Sequence, residues 1–429
     1  MSESKEYHAP EHVYKPKESF GPLAGVRVIN AGSSIAGPFA TSLMADWGAD
    51  VIWVENPKVP ELTRGNLSPQ DNRRNQRNLS LNIKSDEGRE VLLKLVETAD
   101  IYVESNKGGT YEKWGLSDEL LWSVKPDLVI FHLSGYGQTG DPRYVSRPSY
   151  DTVGQAFSCY LAFNGYPDRA PVAAMPWTGD FIPPLLGCAA CLAALHKAKT
   201  TGEGESIDLA QYEALLRVQN AFPLEYLNLG SDIKDSSRPG DRSFYAGWGT
   251  YKCKDGYIYM CPMGTMGMRG LINLLGLDYG SEDFPENVQW LTINDNGYKA
   301  INSKLEEWLP TKTQSEVDEI FTANGIASAP VMTYAKAVEH PQYIARENFT
   351  EWDAVAGPFP NGRVKGVNVT PKFKRNPGKI VRGAVTAGYD NEEILGELGY
   401  DEAQIQALYD CKAIGKNDVM HWGVGQASD

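Results

Sequence analysis

Residues 26–55 read VRVINAGSSIAGPFATSLMADWGADVIWVE, and this stretch decides the fold. It opens with the apolar run VRVIN and passes through a loop rich in Ser, Gly and Pro. The segment PFATSLMADWG follows with apolar residues at helical spacing, and ADVIWVE is again a short apolar run. The order of strand, loop, helix and strand predicts the opening of a parallel α/β unit.

The same alternation continues downstream of this unit. LSLNI at 79–83, DIYVES at 100–105 and DLVIFHLS at 127–134 have the length and composition of buried strands. The amphipathic DEGREVLLKLVETA and the shorter DELLWSV lie between them. Apolar strands that alternate with helices indicate a doubly wound sheet, so we predict the α/β class with a parallel sheet.

The amino-acid composition of the chain changes near residue 226, where aromatic and glycine-rich segments begin. In KCKDGYIYMC, the KDG flanked by alternating apolar residues predicts a hairpin. We therefore predict a smaller α+β domain at 226–325. The large domain would comprise 22–225 and 326–411, with an N-terminal arm at 1–21 and a peripheral tail at 412–429.

The charge balance excludes some classes of partner. The 429 residues include 41 basic and 55 acidic side chains, giving a formal net charge of −14. Nucleic acids and anionic membranes both favour pooled Lys and Arg, so neither is an expected partner. No apolar run approaches the roughly 20 residues of a membrane span, and the N-terminus lacks a signal-peptide stretch. We expect a cytoplasmic protein.

Metal and redox sites have little support in the sequence. Cys188 and Cys191 have C-x-x-C spacing, but LLGCAACLAALHKAK reads as a buried Ala/Leu helix without a second ligand pair. Packing is the favoured role for both thiols. The six histidines are scattered and form neither H-x-x-x-H nor H-E-x-x-H. We predict no metal.

Two features could bind an anionic ligand. The loop AGSSIAGP at 31–38 follows a predicted strand, where α/β folds bind ligands, although a tight turn explains it too. It matches neither G-x-G-x-x-G nor a Walker A loop, which disfavours an NAD enzyme or an ATP-using ligase. The second feature is a set of cations that could hold phosphates or form a solvated surface patch. Its members are Arg73, Arg74, Arg77, Lys107 and Lys113.

Asp180, in MPWTGDFIPPLLG, is the most informative acid. It precedes a helix predicted to begin near Pro183, and spacing alone favours a helix cap. The functional alternative is a nucleophile, which a helix start keeps ionised and fixed. Asp151 and Asp208 are ambiguous caps or packing partners, and Trp177 could line a pocket or belong to the core.

Several ordered motifs together resemble one enzyme family. They are GPLAGVRV, IAGPFATSLMADWGADVIWVEN, LSLNIKSDEGRE, HLSGYGQTGDP, SYDTVGQAF, and GDF followed by ALHKAKTTGEGESIDLAQYEAL. From about residue 20 to about 410 the chain resembles the family III CoA-transferases, which include carnitine, bile-acid and formyl-CoA:oxalate CoA-transferases. The resemblance implies ATP-independent transfer of CoA from an acyl-CoA to a free carboxylate, with Asp180 as nucleophile.

The implied chemistry proceeds through covalent intermediates on Asp180. Its carboxylate attacks the donor thioester and forms an acyl-aspartyl anhydride, and the CoA thiolate returns to give an aspartyl-CoA thioester. The acceptor carboxylate then attacks that thioester, and CoA moves onto the new acyl group. One thioester replaces another, so ATP is unnecessary and covalent catalysis divides the exchange into easier steps. Acyl-CoA is therefore a substrate, and no permanently bound cofactor is implied.

The resemblance also implies a CoA site and an assembly. The positions that match the family are Ser33, Ser34, Ile35 and Ala36 along CoA, Asn75 and Arg77 by the adenine end, and Lys107 and Lys113 at the phosphates. The family often has Arg at the last of these. Its fold is a Rossmann-like large domain plus a small domain, in an interlocked homodimer.

The acceptor is expected to be carnitine, crotonobetaine or γ-butyrobetaine, because the beginning, middle and end resemble carnitine CoA-transferase. A bile acid or other bulky carboxylate is the runner-up, because GYGQTGDPRYVSRPSYDTVGQAFS also resembles the bile-acid enzymes. Cation–π contacts favour aromatic walls for a quaternary ammonium, and Trp177, Tyr245 and Trp248 are candidates. The four-glycine loop of the formyl-CoA branch is missing near FYAGWG.

Two other readings compete with the transferase. An α-methylacyl-CoA racemase shares the fold but pairs its aspartate with the histidine of a G-H-D motif. It needs both residues because the α-proton is removed on one face of the substrate and returned on the other. The matching stretch is Ser149-Tyr150-Asp151, and the pKa of tyrosine near 10 makes it a poor substitute. A non-catalytic CoA-binding homologue is disfavoured because Asp180 is retained.

Overall fold

The computed structural model describes residues 19–59, 61–355 and 359–417. Contacts divide the chain into two compact units. The first comprises the described residues up to Ser158, the segment Met175–Asn220 and the described residues from Ile344 onward. The second comprises Cys159–Ala174 and Ala221–Tyr343. Most of the predicted N-terminal arm and C-terminal tail lies outside the described residues.

A six-stranded parallel sheet forms the centre of the first unit. Its strands are β1 Arg27–Asn30, β2 Asp50–Glu55, β3 Arg77–Ser80, β4 Ile101–Glu104, β5 Val129–Ser134 and β6 Glu205–Ala210. The spatial order is β3-β2-β1-β4-β5-β6, and each neighbouring pair is parallel. This order is that of a doubly wound sheet, so the predicted α/β class is confirmed.

Helices cover both faces of this sheet. The helices of the first unit up to residue 217 are α1 Ala36–Asp46, α2 Ser68–Asn72, α3 Asp86–Glu97, α4 Thr110–Lys113, α5 Asp118–Val124, α6 Pro142–Val145, α7 Asp151–Phe157, α8 Thr178–Thr201 and α9 Gln211–Arg217. Successive strand residues point to opposite faces, so Val28 packs in the cluster with α1 and α8, and Ile29 in the cluster with α3 and α5. The strands are apolar throughout because both faces are buried.

Helix α8 is the long apolar helix of the first unit. By length and composition it could cross a membrane, so the expectation that no apolar run approaches a membrane span is wrong; a core helix passes the same test. Its inner side packs on the sheet, and a Cβ at Gly187 would lie 2.1 Å from the Phe131 ring. Cys188 and Cys191 are buried in the same cluster, as packing predicts.

The second unit contains an antiparallel sheet. Strands β7 Gly249–Cys253 and β8 Gly256–Cys261 form the predicted KDG hairpin, and β9 Ala327–Pro330 pairs antiparallel with β8. Its helices are α10 Phe222–Leu229, α11 Gly264–Leu274, α12 Asn296–Trp308, α13 Gln314–Ala323 and α14 Tyr334–Glu339. Because β9 joins this sheet, the unit extends beyond the predicted boundary at 325.

Residues 159–174 also belong to this second unit, although they were predicted to lie in the large domain. The Arg238 guanidinium donates to the carbonyl oxygens of Tyr166 and Arg169, at 3.0 and 2.9 Å. The Phe163 and Phe222 ring centroids lie 4.5 Å apart. These contacts join a segment to a partner more than 50 positions away, which composition could not reveal.

The end of the chain returns to the first unit. After α15 Pro341–Ala345, this part contains the antiparallel hairpin of β10 Phe349–Asp353 and β11 Arg363–Val367, then α16 Asn391–Glu397 and α17 Glu402–Asp410. The backbone N–H groups of Asn78 and Ser80 on β3 donate to Asp390 Oδ2 and Asn391 Oδ1. The returning segment thus covers the edge of the sheet, where unpaired backbone would otherwise be exposed.

Candidate functional site

A cavity of about 250 Å³ lies at the carboxyl ends of β1, β4, β5 and β6 in the first unit. We call it the Asp180 cavity. A larger cavity of about 480 Å³ shares part of its lining with it and is called the Trp114 cavity. The predicted site residues that line the Asp180 cavity are Ser33, Ser34, Ile35, Ala36, Lys107 and Asp180. Residues that follow parallel strands converge here, as the fold class predicts.

Asp180 is not a helix cap. Helix α8 begins at Thr178, which makes Asp180 its third residue. The cap comes from Asp151, whose Oδ1 accepts hydrogen bonds from the backbone N–H groups of Gly179 at 2.5 Å and Asp180 at 3.2 Å. The capping role that spacing alone assigned to Asp180 is therefore wrong, and its carboxylate is available for another task.

The helix also begins five residues before Pro183, not near it as predicted. Proline has no N–H, so Pro183 cannot donate to the carbonyl of Gly179 as the helical pattern requires. Gln211 supplies this missing donor from outside the helix. Its Nε2 lies 2.9 Å from Gly179 O and also 2.9 Å from Asp180 Oδ1.

The environment of Asp180 suits a nucleophile that works near neutral pH. Burial and the negative charge of Asp151 raise its pKa to about 6, against the opposing hydrogen bond from Gln211. At pH 7 most of the carboxylate is still ionised. Oδ1 accepts from Gln211, whereas Oδ2 has no hydrogen-bond partner among the described residues. One oxygen is held and the other is free to attack.

The lining of the Asp180 cavity carries positive charge. Lys107 and Arg147 are both exposed and line it, and neither forms an ion pair within 4 Å in the described part of the chain. Ile35 and Ala36 bring the N-terminus of α1 to the same cavity, where unpaired N–H groups and the helix dipole favour an anion. The cavity can therefore attract a phosphate or a carboxylate.

Hydrogen bonds fix the two loops that carry these groups. Ser34 adopts a left-handed backbone conformation (φ 59°), and its N–H donates to Glu61 Oε1 at 2.9 Å. The N–H of Ser33 donates to Ser105 Oγ at 2.9 Å. Beside Lys107, the N–H of Asn106 donates to Glu104 Oε2 at 2.6 Å.

Glu104 is in turn held by His132. The His132 ring lies between Glu104 Oε1 at 2.7 Å and Asp118 Oδ1 at 3.0 Å. Burial disfavours its charged form, but the hydrogen bonds to Asp118 and Glu104 prevail and raise its pKa to about 10. A protonated His132 therefore donates to both acids at neutral pH.

The arginine cluster is neither a surface patch nor part of either cavity. Arg73, Arg74 and Arg77 are buried. Arg74 pairs with Asp46 at 2.5 Å and Arg77 with Asp50 at 2.7 Å. The alternative of a solvated patch is wrong for these three arginines, because their guanidinium groups are buried and paired with acids from distant positions.

Three residues expected at CoA do not reach the cavities. Arg77 begins β3, whereas the Asp180 cavity lies at strand carboxyl ends, and the Asn75 amide donates to Lys379 O. Lys113 ends α4 and is exposed, but its neighbour Trp114 lines the Trp114 cavity. A CoA-binding role for Asn75, Arg77 and Lys113 stays a prediction.

Of the predicted aromatic walls, only Trp177 belongs to the same unit as the Asp180 cavity, and it does not line that cavity. Trp177 lies at the start of α8 in the first unit and is 46% exposed. Tyr245 and Trp248 lie in the second unit with their rings stacked at 5.3 Å, and Trp248 Nε1 donates to Tyr259 Oη at 2.9 Å. Their role toward a substrate stays a prediction.

Sequence reasoning missed several residues of the Asp180 cavity, among them Arg147, Tyr150 and Gln211. Gln211 directly follows β6, so its position after a parallel strand was a usable signal. Arg147 and Tyr150 follow no strand directly and carried no such signal. Asp208, an ambiguous cap in the sequence, accepts from the backbone N–H of Gln138 at 2.9 Å.

Comparisons with known proteins agree with this architecture. The model of CoA-transferase family III matches residues 23–391. The fold is similar to that of a CAIB/BAIF family protein from Brucella suis, with a TM-score of 0.75 and 27% identity over 88% of this chain and 100% of that one. It is also similar to Rv3272 from M. tuberculosis, with a TM-score of 0.74 and 24% identity over 88% and 100% of the two chains.

Proposed function

The chain belongs to CoA-transferase family III, and on this premise we propose that Asp180 is the nucleophile through which CoA passes from an acyl-CoA to a free carboxylate. The proposal is supported by the surroundings, the pKa and the hydrogen bonding of the Asp180 carboxylate. It faces a cavity with two cations, its pKa is about 6, and one oxygen has no hydrogen-bond partner among the described residues. An activated, positioned carboxylate is what covalent catalysis requires.

In the proposed reaction, Asp180 Oδ2 attacks the thioester carbon of the donor and the CoA thiolate leaves. The thiolate then attacks the aspartyl carbonyl carbon, which gives an aspartyl-CoA thioester and releases the first carboxylate. The acceptor carboxylate attacks this thioester and expels the thiolate, which leaves a second anhydride on Asp180. The thiolate then attacks the new acyl carbon, which forms the new acyl-CoA and releases the Asp180 carboxylate. Over the whole reaction one thioester replaces another, so no nucleotide is consumed.

We propose that CoA extends from the Trp114 cavity to the Asp180 cavity. The two cavities share Ser33, Ser34, Asn106 and Tyr150, so a long ligand could occupy both. Lys107 is the cation best supported as a phosphate ligand, because it lines the Asp180 cavity without an ion-pair partner in the described chain.

For the acceptor we propose carnitine, crotonobetaine or γ-butyrobetaine. This choice rests on the resemblance of the beginning, middle and end of the chain to carnitine CoA-transferase. A bile acid or other bulky carboxylate is the alternative. A racemase is less favoured, because no histidine lines either cavity in the described ranges.

We further propose a cytoplasmic homodimer. Helix α10 is supporting evidence, because it reads FPLEYLNL and none of its residues is buried. Leu227 and Leu229 are 75% and 79% exposed. Large apolar side chains that stay exposed are typical of a contact with another chain, and a second copy is the partner that the family resemblance implies.

A CoA-exchange panel tests the activity and the substrate together. The purified protein is mixed without ATP with crotonobetainyl-CoA plus carnitine, and separately with a bile-acyl-CoA plus a bile acid. We expect carnitinyl-CoA by mass spectrometry and none with a folded Asp180→Ala variant. Asp141→Asn, at an exposed cap of α6, is the matched control and should retain activity. Transfer to the bile acid alone would overturn the betaine assignment but keep the nucleophile.

A further inference from the structure

We propose that Gln211 is a further catalytic residue, whose Nε2 group stabilises the oxyanion that forms on Asp180 when its covalent intermediates are attacked. The inference rests on the proposed function, since those intermediates exist only if Asp180 is the nucleophile. Gln211 is the first residue of α9, directly after β6, and is 6% exposed. It lines the Asp180 cavity.

Its neighbours fix which end of the amide faces Asp180. Gln211 Nε2 lies 2.9 Å from the carbonyl oxygen of Gly179, which can only accept a hydrogen bond. Gln211 Oε1 accepts from Ser149 Oγ at 3.0 Å. The NH₂ end must therefore lie toward α8, where its second hydrogen reaches Asp180 Oδ1.

Two features of the fold keep the amide in this position. Because Pro183 has no N–H, Gly179 O has no helical donor, and Gln211 replaces it. Gly154 on α7 leaves room for the side chain, since a Cβ there would lie 2.6 Å from Gln211 Oε1. A donor held by packing and by other hydrogen bonds needs no rearrangement during the reaction.

The geometry matters in the two steps that attack the aspartyl carbon. When the CoA thiolate attacks Cγ of the anhydride, a C–S bond forms and the carbonyl electron pair moves to Oδ1. Collapse restores the carbonyl and breaks the Cγ–Oδ2 bond, so the first carboxylate leaves with that oxygen. When the acceptor carboxylate attacks the thioester, the pair again moves to Oδ1, and collapse expels the thiolate.

In both steps a neutral carbonyl becomes an oxyanion beside Gln211 Nε2. The hydrogen bond is therefore stronger in the transition state than before it, which is the condition for acceleration. In the first step the hydrogen bond from Gln211 becomes weaker toward the transition state, because the Asp180 carboxylate loses its charge as the anhydride forms. Gln211 should thus accelerate the later steps and not the first.

Gln211→Met tests this difference, because methionine keeps the size of the side chain and removes the donor. Gln219→Met is the matched control, since Gln219 is equally buried at 6% and donates to the carbonyls of Ser158 and Leu215 away from the cavity. Both variants are mixed rapidly with acyl-CoA and quenched. Intact-protein mass spectrometry then separates the acyl adduct from the CoA adduct.

We expect Gln211→Met to lower kcat by about 10² to 10³-fold, the usual cost of one oxyanion donor. At a pH well above the acid limb, the acyl adduct should form at least as fast as in the wild type and accumulate, with the CoA adduct delayed. The acid limb of kcat/KM should also move to higher pH, because the hydrogen bond from Gln211 lowers the pKa of Asp180.

The experiment distinguishes a failure of the role of Gln211 from a failure of the proposed function. Equal turnover and equal adduct kinetics in Gln211→Met and Gln219→Met would overturn the role of Gln211 and leave the proposed function intact. A wild-type protein that forms neither adduct would refute the proposed function, and this inference with it. If Gln211→Met does not fold, Gln211→Asn is used instead, because its shorter side chain moves the amide donor away from Asp180. We expect the same loss of kcat and the same accumulation of the acyl adduct.

Discussion

At the scale of single residues, two aspartates near the start of α8 have different environments and different tasks. Asp151 is buried and accepts hydrogen bonds from the first turn of the helix, so its charge is used in the cap. Asp180 Oδ1 accepts a hydrogen bond from Gln211, whereas Asp180 Oδ2 has no hydrogen-bond partner among the described residues. Environment, and not residue type, decides which carboxylate can react.

The electrostatic coupling of these aspartates predicts the pH dependence of the reaction. Burial and Asp151 raise the pKa of Asp180 to about 6, and only the ionised form attacks. We expect kcat/KM to be constant above this value and to fall as the pH decreases through about 6. In Asp151→Asn the repulsive charge is gone while asparagine can still cap, so the fall should move to lower pH.

The measurement is the pH profile of kcat/KM for the wild type, Asp151→Asn and the surface control Asp141→Asn. The control should follow the wild type, because Asp141 is an exposed cap of α6. A profile that does not move in Asp151→Asn, or that moves to higher pH, would contradict the assigned coupling.

The motif predicts Asp180 as the nucleophile, whereas local spacing favoured a helix cap, which is the wrong structural alternative. The residue that caps α8 is Asp151, 29 positions earlier, which no short-range rule considers. The surface-patch alternative for the arginine cluster failed for the same reason. Its partners, the buried Asp46 and the half-buried Asp50, come from other elements, so charge along the chain could not predict their pairing.

At the scale of elements, the triad Glu104, His132 and Asp118 joins β4, β5 and α5 beneath the Lys107 loop. Removal of His132 leaves the buried Glu104 without its cation. Breaking a buried pair in this way costs about 3–5 kcal/mol. We therefore expect His132→Gln to lower the free energy of unfolding by about 3 kcal/mol at pH 7, as measured by urea denaturation.

The pH dependence of this loss follows from the direction of the shift. Folding raises the pKa of His132 from its ordinary value of 6.5 to about 10, so its contribution is complete below pH 6.5 and is lost toward pH 10. The difference between wild type and His132→Gln should narrow over that range. His196→Gln, on an exposed position of α8, is the control and should change little. A difference that is constant from pH 6 to 10 would refute a charged His132.

Elements with local signals were predicted well. Short apolar runs predicted the first five strands of the parallel sheet, and alternation with turn chemistry predicted the KDG hairpin. Strand β6 was not predicted. The start of α8 was misplaced, because Gln211 replaces the donor that Pro183 lacks. Strand β9 was missed because its partner β8 lies some 66 residues earlier.

At the scale of the whole molecule, exposed apolar surface is the feature that the isolated chain does not explain. Helix α10 has no buried residue, although five of its eight side chains are Phe, Leu or Tyr. Burying apolar area contributes roughly 25 cal/mol per Å², so a second copy that covers this helix would be stabilised strongly. The sequence pattern alone could not show this, because it does not tell which apolar residues remain exposed after folding.

We expect the wild-type protein to have twice the chain mass of 47.3 kDa in light scattering coupled to size-exclusion chromatography. Leu227→Glu places a charge in the proposed contact and should shift the equilibrium toward the monomer, because burying an unpaired charge is costly. Circular dichroism checks that the variant is folded. A monomeric wild type at micromolar concentration would contradict the dimer.

The most direct test of the central claim is the mass of the Asp180 peptide after the protein meets an acyl-CoA without an acceptor. The protein is quenched in acid, digested and analysed by mass spectrometry, with Asp180→Asn and Asp141→Asn treated in parallel. The account predicts a CoA adduct on the peptide that contains Asp180 in the wild type and in Asp141→Asn, and no adduct in Asp180→Asn. An adduct on a different residue, or CoA transfer that persists in folded Asp180→Asn, would show that Asp180 is not the nucleophile.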